Sequence, residues 1–80
     1  MKIPRDISGK KLAKLLKRYD FEITRQTGSH MRLTTNLKRK YHITIPNHKS
    51  LKIGTLNCIL SEIANYLEIN KEELIVELFG

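Results

Sequence analysis

The strongest constraint on this chain is the order in which its hydrophobic spacing changes. Leu12, Leu15, Leu16 and Tyr19 fall at i, i+3, i+4 and i+7, which predicts an amphipathic helix. The spacing then drops to two. Phe21 and Ile23 are expected inward, with Glu22 and Thr24 outward. Met31 and Leu33 point one way, and His30, Arg32 and Thr34 the other. Tyr41, Ile43 and Ile45 are expected inward, with His42 and Thr44 outward. From Leu56 the helical period returns through Ile59, Leu60, Ile63, Ala64 and Leu67. This order predicts an α+β fold in which a three-stranded antiparallel meander has one face covered by two helices and the other wet.

Local signals mark the joints. Residues Met1 to Ile7 read as a lead-in in which Pro4 discourages helix, and Ser8 is placed to cap the first helix. Gly28-Ser29 reads as a turn or bulge between Phe21–Thr27 and His30–Thr35. Asn36 to Lys40 is a polar hairpin connection, and Pro46 stops the third strand by removing a donor. Thr55 is expected to cap the second helix. Asn70 with Glu73 resembles a capping box that opens a short last helix with Leu74, Ile75 and Leu78 on its apolar side. The expectation is one domain over 1–80, with a core at 8–67 and a C-terminal helical extension at 68–80.

Eighty residues with 40% hydrophobic content suffice for one modest core. No stretch approaches the ~18 apolar residues of a membrane span. The charged, proline-broken start lacks the apolar segment of a secretory signal, so a cytoplasmic protein is expected. The single cysteine, Cys58, cannot form an internal disulfide and reads as a small buried side chain of the second helix.

Charge is distributed unevenly. Up to Thr55 there are fourteen Lys or Arg against three acids, and from Leu56 onward one Lys against five Glu. A basic body points to an anionic partner, and charge spread over helix, strands and loops fits nucleic acid better than a membrane surface. Within that body His30 stands beside Arg32 on the wet face, and imidazole is the side chain that exchanges protons near neutral pH. A metal-free ribonuclease needs such a group for the ribose 2′-hydroxyl or the departing oxygen, plus positive charge for the phosphate. Arg32 suits that second task by its planar fork. A metal-dependent nuclease would want clustered carboxylates, and the basic part offers only Asp6, Asp20 and Glu22. The three histidines lie 12 and 6 residues apart with no cysteine pair, unlike a zinc site, so no metal and no cofactor are expected.

Other basic side chains are candidate phosphate contacts: Lys38, Arg39 and Lys40 at the hairpin tip, and Lys49 and Lys52 before the second helix. The lysines of the first helix fit RNA contact or a solvated face. Gly54-Thr55 fits a phosphate on free amides, or simply a turn and a cap. His42 shares the outer face but reads as an incidental surface position, since the strand register is not set by the sequence. His48 follows a strand end, where a loop hydrogen bond and RNA contact are both open.

Four ordered signatures carry a resemblance: the Leu-rich basic first helix, Arg25-Gln26-x-Gly28-Ser29-His30, Pro46-x-His48, and Lys52-x-Gly54-Thr55-Leu56-x-x-Ile59-Leu60. Together they resemble the HicA-type toxins (a YcfA-like family), the mRNA interferases of HicAB toxin–antitoxin pairs. The resemblance implies a double-stranded-RNA-binding-domain-like fold, with His30 as the catalytic histidine. It further implies metal-independent cleavage of messenger RNA and silencing by a HicB-type antitoxin that covers the active face. Ser29, Arg32, Lys38, Arg39, Lys40, His48, Lys49 and Lys52 would then hold RNA. The extension at 68–80 runs past the point where short members of the family stop. Two other readings fit the same residues: a non-catalytic basic module that binds structured RNA, and an interaction domain for an acidic protein.

Overall fold

The computed structural model describes residues 3–80; Met1 and Lys2, the start of the expected lead-in, lie outside them. Ser8 caps α1 (Gly9–Leu15), its hydroxyl accepting from the Lys11 amide at 3.0 Å. A 3₁₀ turn over Leu16–Tyr19 tightens the end of this helix, and Asp20, at φ 65°, turns the chain out of it. Three strands follow, β1 (Glu22–Thr27), β2 (His30–Thr35) and β3 (Tyr41–Pro46), antiparallel in the order β1-β2-β3. They are succeeded by α2 (Ile53–Leu67) and α3 (Lys71–Phe79). Leu12 and Leu16 meet Met31, Leu33, Ile43 and Ile45 of the sheet and Leu56, Leu60 and Ile63 of α2 in one buried cluster. This is the expected α+β, double-stranded-RNA-binding-domain-like arrangement, with one sheet face covered and the other open to solvent.

The hairpins fix the register. Thr27 pairs with His30, so the first loop is only Gly28-Ser29. Gly28 has φ 56° while Ser29 does not enter the positive region, the pattern of a type II′ turn with glycine first. Across the second hairpin His30 lies opposite Pro46, Arg32 opposite Thr44 and Thr34 opposite His42. The third strand thus includes Pro46 at its end.

β1 departs from simple alternation. Ile23 pairs with the buried Leu33, yet it is 46% exposed, because it sits on the sheet's edge strand. Its expected burial is therefore corrected. The register skips one residue between Ile23 and Arg25, a bulge that leaves Thr24 extra. Uninterrupted alternation would carry Arg25 inward with Ile23. The bulge turns it out, directly opposite Arg32.

Two expectations about α2 are also corrected. The helix starts at Ile53 with Lys52 as N-cap and no capping side chain, so Thr55 and Gly54 lie inside its first turn. The chain is already anchored there: Leu51 is buried and its amide donates to the Ile7 carbonyl at 2.8 Å. Cys58 is exposed, not buried. It lies two residues beyond Leu56, about 200° around the helix and off the apolar stripe.

The C-terminal extension packs onto the core through Leu74, Ile75 and Leu78. Asn70 caps α3 by accepting from the Glu73 amide at 2.8 Å. Near the other end, Tyr19 donates its hydroxyl to the Glu77 carboxylate and Arg18 donates to the Glu77 carbonyl. Burial, and then the bond to Glu77, push the Tyr19 phenol up to about 12. A raised value means that the fold favours the neutral phenol. The contact therefore stabilises fully below the unfolded value near 10 and is lost as pH rises through about 12. Ultraviolet titration of the chain should show a phenolate step at about 12 that Tyr19→Phe removes. If the step lost in Tyr19→Phe lies at the ordinary value, the Glu77 contact is not formed in solution.

Candidate functional site

The wet face of the sheet is assembled from all three strands. β2 contributes His30, Arg32 and Thr34; β3 contributes His42 and Thr44; the bulged β1 contributes Glu22, Thr24, Arg25 and Thr27, with the Glu22 carboxylate at the end opposite Thr34. His30 opens β2 directly after the glycine turn and is exposed. The turn is pinned from the far side, where the Asn47 amide donates to the Ser29 carbonyl at 2.6 Å.

Two residues along β2, Arg32 faces Arg25 across the strand pair. Side chains at such opposed positions start about 5 Å apart, and like charges there destabilise a sheet. An anion held between two guanidinium forks converts that cost into charge-assisted hydrogen bonds. Arg25 belongs to the Arg25-Gln26-x-Gly28-Ser29-His30 signature, but strand alternation alone gives it no place on the wet face. The available signal was a charged residue falling on the inward phase of β1, which marks a bulge.

The loop after β3 brings a second basic group to the His30 end. Asn47, His48 and Lys49 line a shallow open groove with Ser8 and Lys10. The loop is fixed by its backbone: the Gly9 amide donates to the His48 carbonyl at 2.9 Å. The loop hydrogen bond at His48 is thus made by its main chain, and its exposed side chain takes no part in it. Ser29, His30, Arg32, His48 and Lys49 therefore gather toward one end of the sheet.

Lys38, Arg39 and Lys40 are not brought to His30. They follow β2 at its other end, five residues or about 17 Å along the strand. Lys38 lies 3.9 Å from Glu68, and the Arg39 guanidinium stacks 4.9 Å over the Tyr66 ring. Lys52 is exposed at the N-cap of α2.

His42 is tied into the face by side chains. Its Nδ1 lies 2.8 Å from Thr34 Oγ1, which lies 2.7 Å from Thr24 Oγ1, which in turn donates to the Arg32 carbonyl at 3.3 Å. Partial desolvation of the ring, and then the Arg32 and Lys40 charges, hold His42 below the usual histidine value. Four residues of strand separate its level from that of His30, about 13 Å. The two rings therefore do not meet over one phosphate.

Among the described residues, no three His, Cys, Asp or Glu side chains gather as metal ligands, and no helix is long and apolar enough to cross a membrane.

Fold and surface together define a small basic α+β protein with a double-stranded-RNA-binding-domain-like architecture and an open, cationic sheet face. Residues 9–64 match the family model for the HicA toxin of bacterial toxin–antitoxin systems, and the chain belongs to this HicA toxin family. Neither a curated protein nor a solved structure matches it.

Proposed function

We propose that this HicA-family protein is a metal-independent endoribonuclease that cleaves messenger RNA in the cytoplasm and is neutralised by a HicB-type antitoxin. The observation that carries this reading is the Arg25–Arg32 pair beside exposed His30 on the wet face of the sheet. RNA carries its own nucleophile, the 2′-hydroxyl next to each phosphate. The arginines hold the phosphate in which negative charge builds up. His30 moves a proton, at the attacking hydroxyl or at the departing oxygen. Ser29 at the turn and His48, Lys49 and Lys10 in the adjacent groove extend the cationic track for the RNA strand, while Lys38, Arg39, Lys40 and Lys52 contact phosphates farther out. An acidic antitoxin surface would cover the same cationic face.

The test is incubation of the purified chain with messenger RNA in excess chelator. Cleavage is expected, and it should stop when the cognate acidic partner is added. A second reading, a basic module that binds RNA without cutting it, rests on the charge alone, fourteen Lys or Arg against three acids up to Thr55. Tight RNA binding with every transcript left intact would select that reading.

The arginine pair gives a separable expectation. Arg25→Ala and Arg32→Ala should each weaken RNA binding and lower the slope of log affinity against log salt by about 0.7 for single-stranded RNA. Neither should lower Tm, since each relieves a like-charge contact. An unchanged salt slope in both variants would place the phosphate elsewhere.

A further inference from the structure

Arginine and lysine supply only donors, so the cationic face described above is suited to phosphate oxygens. Glu22, opposite Thr34, and His42 depart from that pattern, and of the two only His42 carries an acceptor on a ring whose orientation is fixed by side-chain hydrogen bonds. Its relay ends on the Arg32 carbonyl, a group that can only accept. If Thr24 donates to that carbonyl, Thr34 must donate to Thr24, and the His42 Nδ1–H must donate to Thr34. This direction makes three hydrogen bonds. The reverse direction makes two and leaves two lone-pair-bearing oxygens, Thr24 Oγ1 and the Arg32 carbonyl, facing each other. The favoured direction fixes the proton on Nδ1 and leaves Nε2 as a bare acceptor on an exposed ring.

We propose that His42 forms a nucleotide subsite in which Nε2 accepts a hydrogen bond from a donor on bound RNA, the ribose 2′-hydroxyl or a base amino group. Phosphate oxygens have no proton to give, so this acceptor distinguishes parts of the nucleotide that the arginines ignore. Its level on the sheet is about 13 Å from that of His30, so it reads a nucleotide away from the one being cleaved. Thr34 and Thr24 are positioning residues that act through the ring. The subsite rests on the RNA reading above. Its neutral, acceptor-bearing ring fits the depressed proton affinity that Arg32 and Lys40 help to impose.

The experiment uses the full chain carrying His30→Ala, so that RNA persists, and fluorescence anisotropy with short oligoribonucleotides. Comparison strands of the same sequence carry 2′-deoxyriboses or purines lacking the amino group. Adding His42→Ala should reduce the preference for one of these donors by about 2–10-fold, the worth of one neutral hydrogen bond. Loss of the preference over 2′-deoxy strands identifies the ribose, and loss of the preference over amino-free strands identifies the base. Thr34→Val should do the same with the ring still present, and Thr34→Ser should restore the preference. Nitrogen NMR of the parent at neutral pH should show Nδ1 protonated and Nε2 bare in His42. A ring with the opposite tautomer, or a donor preference untouched by His42→Ala, overturns the subsite while leaving the ribonuclease reading intact. A chain that binds no RNA at all overturns both the ribonuclease reading and the subsite.

Discussion

Replacing His30 with alanine is expected to lower RNA cleavage in chelator by about 10²–10⁴-fold, the range that one positioned acid–base group contributes. Tm should barely move, because the side chain is exposed and leaves no buried partner behind. RNA affinity should also hold within a small factor, since Arg25 and Arg32 remain opposed on the same face. This separation of rate from binding and stability distinguishes a catalytic group from a contact. Equal cleavage by the variant and the parent would remove His30 from the chemistry.

Gly9→Ala is expected to cost substantial stability although it adds a single methyl group at a buried position. A Cβ built on Gly9 would lie 2.0 Å from the Pro46 carbonyl oxygen and 3.1 Å from its carbon. That obstacle is backbone and cannot swing aside, so α1 or the loop after β3 must shift. Crowding of this kind costs about 1–3 kcal/mol, a fall in Tm of roughly 10 °C for a domain of this size. The shift would strain the Gly9–His48 bond and the Asn47–Ser29 bond together. RNA cleavage should therefore fall even where the variant stays folded. A variant with parental Tm would show that the close approach of α1 to Pro46 is not present in solution.

The order of elements and most of the core were legible because hydrophobic period and burial are the same fact seen twice. Ser8 and Asn70 could be read as caps because each uses its own side chain on a nearby amide. The start of α2 could not be read that way. It is set by the distant Leu51–Ile7 backbone bond rather than by any capping residue, and Thr55 was a decoy. Cys58 has apolar neighbours in sequence yet lies off the helix's apolar stripe, so its exposure follows from its angle around the helix and not from its neighbours. On the sheet, His30 and Arg32 could be placed from alternation alone. Arg25 needed the bulge, and the His42 relay needed the pairing of Thr34 with His42, which only the register supplies. Long-range hydrogen bonding, not local propensity, decided what sequence left open.

The loop between β2 and β3 is held at its start by Thr35, whose hydroxyl accepts from the Leu37 amide at 3.2 Å, and at its tip by a phenol. Tyr66 of α2 accepts from the Lys38 and Arg39 amides at 2.8 and 3.1 Å and donates to the Arg39 carbonyl at 2.7 Å. Every one of those bonds on the loop side is to main chain, so apart from Arg39, whose guanidinium stacks on the same ring, the loop is held with little reference to the side chains it carries. The tip can accordingly gain, lose or invert charge through substitution at Lys38 or Lys40 while its shape persists. A lineage can thereby retune this end of the surface to a changing partner and leave the architecture beneath it untouched.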